Sequence, residues 1–191
     1  GPSGVPGAKL LVGEGGELLD FSFVDPDNRR PVDYILRRRL LSELQSRSQE
    51  ALPTIDNSGV AKLFVVWRGL QLRRELRGVF DSGDYIPLSS FGGNANHLCA
   101  FARSNAAGAV VVIVPRLTAV LMQGIEALPL GETVWKDTAL PLNSRLPAEF
   151  ENVLTGKKLS AVEKDGVRSI RVAEALAEFP VAILKHSRSK A

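Results

Sequence analysis

Ten residues near the start carry the densest set of hydrogen-bonding groups in the chain: Val24-Asp25-Pro26-Asp27-Asn28-Arg29-Arg30-Pro31-Val32-Asp33, followed by Tyr34. Charged side chains and an amide crowd between two prolines, more fixed polarity than a turn needs. Carboxylates only accept hydrogen bonds, and guanidinium groups only donate them through a rigid planar fork. A sugar hydroxyl does both, so acids beside arginines suit a polyhydroxylated ligand. The competing structural reading is an Asx-turn and helix cap braced by an Asp–Arg pair.

The same acids are poor candidates for bond cleavage. A retaining glycosidase needs one carboxylate as nucleophile and another, held protonated, as acid, roughly 5 Å apart. Asp25, Asp27 and Asp33 lie close in sequence, but Arg29 and Arg30 would keep nearby carboxylates ionised, which is wrong for a general acid. These groups look built to bind. No catalytic residue is assigned within the chain.

Other chemistries find little support. There are two histidines, His97 and His186, and one cysteine, Cys99. No Gly-x-Ser-x-Gly nucleophile elbow accompanies them, and their spacing matches no metal site. No cofactor is implied. Cys99, beside Leu98, Ala100 and Phe101, is expected to be a buried apolar thiol. A lone cysteine forms no internal disulfide and fits a cytoplasmic origin. Trp67, on an apolar helix face, and Trp135, in an expected strand, could stack on sugars but are read first as core.

With 24 basic and 21 acidic residues, the net charge of +3 is too small and scattered to imply nucleic acid. Arg37-Arg38-Arg39 and Arg73-Arg74 fall on predicted helices with Glu43 and Glu75 nearby, and read as solvated, partly paired faces. The longest apolar run, Ala106 to Val114, is strand-sized, so no membrane helix is expected. An apolar content of 45% permits a packed core. The chain opens on Gly1-Pro2 rather than Met, as after tag removal, and is expected to be a piece of a longer protein.

Several elements must position the polar segment. Gly1 to Gly16 reads as a loop. After Pro31, with Asp33 suited to cap, apolar residues Ile35, Leu36, Leu40, Leu41 and Leu44 predict a helix from about Val32 to Gln49. A connector, Pro53 to Gly59, leads to a second helix over about Gly59 to Arg77, which Gly78 should stop. Two successive helices without an intervening strand fit the last helical layer of an α/β barrel. Asp81 to Asp84 then reads as a turn. Beyond it, strands are expected at Tyr85–Leu88, Asn96–Arg103, Ala109–Pro115, Thr133–Leu140, Phe150–Leu154, Val167–Val172 and Val181–Leu184. Asn105 to Gly108 supplies a hairpin turn, and Ala173 to Phe179 a short helical turn or loop. Many short strands with Gly and Pro turns argue for an antiparallel sandwich. The expected class is α+β, with residues 1–80 as the end of a barrel and 81–191 as a β-sandwich domain.

The polar segment and its lead-in, Glu17-Leu18-Leu19-Asp20-Phe21-Ser22-Phe23, closely resemble the stretch after the last barrel strand of maltooligosyl trehalose synthases, within the α-amylase family. Further stretches resemble that family in order. Lys62-Leu63-Phe64 with Arg73-Arg74 is similar to its final barrel helix, and Phe80 to Leu88 to the entry of its C-terminal β domain. Phe101-Ala102-Arg103, Val112 to Arg116, Trp135 to Thr138 and Phe150 to Gly156 are similar to that domain's strands and final hairpin. One departure is plain: Gly4-Val5-Pro6-Gly7 is not followed by the family's Tyr and Gln.

The resemblance implies an intramolecular transglucosylation of maltodextrins. The reducing-end α-1,4 linkage becomes an α,α-1,1 linkage through a covalent glycosyl-enzyme, with water kept out. Both catalytic carboxylates would lie on barrel strands preceding this chain. The family's Asp-Pro-x-x-Arg loop assigns Asp25 and Arg29 as sugar contacts, supported by Asn28 and Arg30. The implied partners are a maltodextrin substrate and the remainder of the barrel. The alternative is a stand-alone, non-catalytic glucan-binding or scaffold module.

Overall fold

A computed structural model describes residues 33–47, 51–56 and 58–187. The fold is α+β, and it divides into two compact units between Arg68 and Gly69, inside a helix.

In the first unit, α1 (Tyr34–Ser46) starts because the Asp33 carboxylate accepts from Leu36 N at 2.8 Å and so satisfies one of the open amides of its first turn. Leu44 is buried and Leu36, Leu40 and Leu41 are half-buried, whereas Ile35 stands 83% exposed. α2 (Val60–Glu75) begins after Gly59, where Val60 N bonds Ser58 Oγ at 3.3 Å. Ser58 is held in turn by the Asp56 carboxylate, which bonds both its amide and its hydroxyl. These hydrogen bonds hold the Asp56 carboxyl below its ordinary value. Phe64 is buried, while Val66 remains exposed. Arg39 pairs with Glu43 at 3.8 Å, so the arginine run on α1 is partly paired as expected.

The second unit starts within α2, where Leu72 is buried. Gly78 does not stop this helix. The chain leaves helical geometry at Leu76 and restarts at once as α3 (Arg77–Ser82), with Gly78 inside it. Leu72, Leu76 and Val79 are all buried, so their spacing of four and three keeps one apolar stripe across the break. Asp81 and Ser82, expected in a turn, are the last residues of α3.

The strands are β1 (Asp84–Leu88), β2 (Leu98–Asn105), β3 (Gly108–Pro115), β4 (Ala139–Leu142), β5 (Glu149–Asn152), β6 (Lys158–Ser160), β7 (Val162–Lys164), β8 (Val167–Arg171) and β9 (Ala182–Ser187). Short helices α4 (Thr118–Leu121), α5 (Gly131–Trp135) and α6 (Val172–Ala175) lie between them. Every pairing is antiparallel, in a sheet ordered β1-β2-β3-β9-β5-β6 and a second ordered β4-β8-β7.

One apolar core draws on both sheets. Ala100, Ala102, Val111, Ile113 and Leu184 come from the larger, and Leu140, Leu142 and Ile170 from the smaller. Along β2 the residues Leu98, Ala100, Ala102 and Ser104 face inward, so the pleat turns Cys99, Phe101 and Arg103 to the other side. Cys99 is therefore exposed, not buried as its apolar neighbours implied. β3 is buried on both faces over residues 108–111, as its β-branched run foretold.

Two expected strands begin differently. Ala95–His97 is a turn of 3-10 helix, so β2 starts only at Leu98. Residues 133–140 are not one strand: α5 carries Thr133 to Trp135, and β4 starts at Ala139. Gly131 enters this helix at φ 66°, Lys136 leaves it at φ 47°, and Val134 packs beside fully buried Trp135. Adjacent inward-facing apolar residues suit a helical turn, not a pleat.

Candidate functional site

The residues expected to grip sugar, Asp25, Asn28, Arg29 and Arg30, lie outside the described residues, as does Asp27. The described chain takes up at Asp33, the last acid of that run. Its carboxylate is committed to starting α1, as expected of an N-cap. Tyr34 beside it is 66% exposed.

Among the described residues no group of three His, Cys, Asp or Glu side chains could hold a metal ion. His186 lies on β9 with Nδ1 2.8 Å from Glu149 O, and its ring stands edge-on to Phe150. His97 ends the 3-10 turn, and its buried Nδ1 has no hydrogen-bond partner among the described residues. Among the described residues neither ring is hydrogen-bonded to a Ser or Cys side chain. Trp135 is fully buried, its indole N–H donating to Pro129 O at 2.8 Å, and offers no face to a sugar. Trp67 is half-buried, with Phe64 at 6.3 Å and the Arg68 guanidinium 5.8 Å from its ring centre.

Among the described residues, a polar constellation with an open depression assembles where α3 meets the β2–β3 hairpin. A helix C-terminus presents open carbonyls. Here the Arg103 guanidinium donates to Phe80 O at 2.8 Å, and the Asn105 amide donates to Gly78 O at 2.9 Å. Asn105 also accepts from Ala107 N at 2.9 Å, closing the hairpin turn as an Asx-turn. Ser82 Oγ donates to Gly78 O at 2.8 Å and lies 3.4 Å from Asn105 Nδ2. Gly83 joins α3 to β1, and a Cβ there would lie 2.3 Å from Val79 O, so only glycine fits. β1 therefore begins beside the hairpin, with Asp84 opposite Ser104. The guanidinium of Arg145, from the β4–β5 loop, reaches across to the Asp84 carboxylate.

Together Ser82, Asp84, Ser104, Asn105, Ala106 and Arg145 line an open depression of about 270 Å³. Ser104 is buried, while Asp84 and Arg145 are mostly exposed. Sequence reading did not single out these residues. Asp84 and Arg145 are 61 positions apart, and β4 of the smaller sheet, packed beside β1 of the larger, brings the β4–β5 loop to Asp84.

No family model matches the chain. Two curated relatives from Mycobacterium tuberculosis (strains CDC 1551 / Oshkosh and ATCC 25618 / H37Rv), named as maltooligosyl trehalose synthases, are each 34% identical over 180 residues. The alignment covers 94% of this chain and 19% of each relative. The chain thus spans about a fifth of the length of the curated relatives it matches. The solved maltooligosyltrehalose synthase from Arthrobacter ramosus is similar at TM-score 0.64 and 31% identity, over 94% of this chain and 21% of that one. A point mutant of that enzyme gives TM-score 0.65 with the same identity and coverage. The resemblance read from the sequence is borne out along nearly the whole chain.

Proposed function

We propose that this chain is the C-terminal part of an intramolecular transglucosylase of trehalose biosynthesis. The parent enzyme would convert the reducing-end α-1,4 linkage of a maltodextrin to an α,α-1,1 linkage, with both catalytic carboxylates outside this chain. The observation that carries the reading is 34% identity to named maltooligosyl trehalose synthases over 94% of the chain.

In this reading residues 1–80 end a (β/α)8 barrel and residues 81–191 form a β-sandwich domain, in a cytoplasmic enzyme. Among the described residues no helix is long and apolar enough to cross a membrane. The segment around Asp25 and Arg29 holds a glucosyl unit, with Asn28 and Arg30 in support. Its carboxylates and guanidinium groups match the mixed donor and acceptor character of sugar hydroxyls. Ile35 at 83%, Val66 at 48% and Leu70 at 53% exposure leave apolar side chains that the rest of the barrel would cover.

Without the catalytic pair, the 191-residue chain is expected to leave the reducing ends of maltopentaose unchanged. Turnover by the purified chain would overturn the placement of the catalytic acids. Calorimetric titration with maltodextrins separates the fragment from a stand-alone glucan-binding module. Tight, saturable binding abolished by Asp25→Ala or Arg29→Ala favours the module, and weak binding or silence at those residues favours a fragment that needs its barrel.

A further inference from the structure

The Asp84–Arg145 pair spans the depression at the α3–hairpin junction, and it balances the charge there. Neither an anion nor a cation gains from a site holding one carboxylate and one guanidinium. A neutral ligand bearing hydroxyls does, since each hydroxyl can donate to the acid and accept from the guanidinium. Both groups keep capacity for this. Nη2 of Arg145 serves Asp84, and the other guanidinium N–H groups have no partner among the described residues. The Asp84 carboxylate has further lone pairs open.

The walls are fixed in advance. Asn105 and Ser82 are held by Gly78 O and by each other, and Ser104 is 6% exposed. Such prior ordering lowers the entropy cost of binding. Apart from Ala106 the lining is polar or charged, which disfavours an apolar ligand. At about 270 Å³ the space is smaller than pockets for drug-sized ligands, and suits one sugar ring.

We propose that this depression binds a single glucosyl unit of an α-glucan through Asp84 and Arg145, against the wall formed by Ser82 and Asn105. The ligand class rests on the glucan reading above; the site itself uses none of residues 25–30.

The test is a titration of the isotope-labelled 191-residue chain with maltopentaose up to about 20 mM, suited to a millimolar Kd. It is followed by NMR at the backbone amides of residues 104–106, the Asn105 side-chain amide and Arg145 Nε–H. Saturable shifts at these positions are expected. Asp84→Asn and Arg145→Gln should each weaken them roughly fivefold to tenfold, the scale of one typical net hydrogen bond at a solvent-exposed site. Wild-type-like spectra elsewhere would show that both variants fold. Asp25→Asn with Arg29→Gln should leave the shifts at the depression unchanged. Shifts at residues 25–30 alone would overturn this inference and leave the proposed sugar-gripping segment standing. Shifts at the depression alone would uphold this inference, and silence at residues 25–30 would agree with a segment that needs its barrel to grip sugar. Silence at both, or an equal response to sorbitol at the same concentration, would overturn the inference.

Discussion

Replacing Trp135 with Phe should destabilise the sheet-bearing unit more than any other exchange of one aromatic residue for another. The indole is fully buried, and its N–H donates to Pro129 O at 2.8 Å. Pro129 is buried too, and its carbonyl has no other partner among the described residues. Phe cannot make that bond, and orphaning a buried carbonyl costs about 1–3 kcal/mol. The smaller ring also leaves a void. Deleting a whole buried aromatic costs about 3–5 kcal/mol, so the lost part of the indole accounts for about 1–2 kcal/mol. The sum is about 3 kcal/mol. At about 2–4 °C per kcal/mol, the melting temperature should fall by roughly 6–12 °C. Thermal unfolding followed by circular dichroism reads the shift. Because the chain has 2 tryptophans, the variant also leaves half-buried Trp67 as the sole indole emitter, and the native emission should move to longer wavelength. A loss below about 1 kcal/mol, with emission unmoved, would refute both the burial of the ring and its bond to Pro129.

Two further predictions follow from charged groups. Ser58→Ala removes the hydroxyl that helps hold Asp56 below its ordinary pKa, so the Asp56 midpoint should rise toward the usual carboxylate value in a carboxyl-carbon NMR titration. Because the native pKa is depressed, the small stabilisation from ionised Asp56 is present above the ordinary carboxylate value. It is lost as pH falls through the native midpoint, and the variant should lack that acid-side slope; an unmoved midpoint would count against the hydrogen bond. Lys185, only 20% exposed, bonds Glu75 at 2.9 Å and lies 4.0 Å from Glu151. Lys185→Met should cost about 0.5–1 kcal/mol in urea unfolding, discounted because both acids are over two-fifths exposed, with most of the loss recovered by adding Glu75→Gln.

Much of the fold was legible where a single local signal decides the structure. Asp33 capping α1 is a short-range hydrogen bond, and the turn from Asn105 to Gly108 needs only one Asx interaction. The β3 run could be read because strands buried on both faces drop their alternation. Errors arose where an apolar pattern had two solutions. Trp135 with Val134 served a helical turn as well as a strand, and Gly78 was tolerated inside α3 because the Leu72, Leu76 and Val79 stripe governs packing there. The apolar neighbours of Cys99 imply burial, but the strict alternation of β2 assigns it to the outer face. The β7–β8 hairpin carries a local mark: Asp165-Gly166, at φ 53° and 75°, is the dipeptide for a tight turn between twisted strands.

The polar depression belongs to another category. No segment of the sequence contains it, because its acid comes from the start of β1, its base from the β4–β5 loop and its wall from a hairpin. The segment at Asp25 to Arg30 concentrates the same chemistry in one stretch, which is why that stretch attracted a functional reading and the depression did not. A binding site written in one loop can be read from its residues alone. One written across two packed sheets becomes visible only in the fold: here β1 beside β2 sets the hairpin wall, and β4 packed near β1 lets the β4–β5 loop reach Asp84.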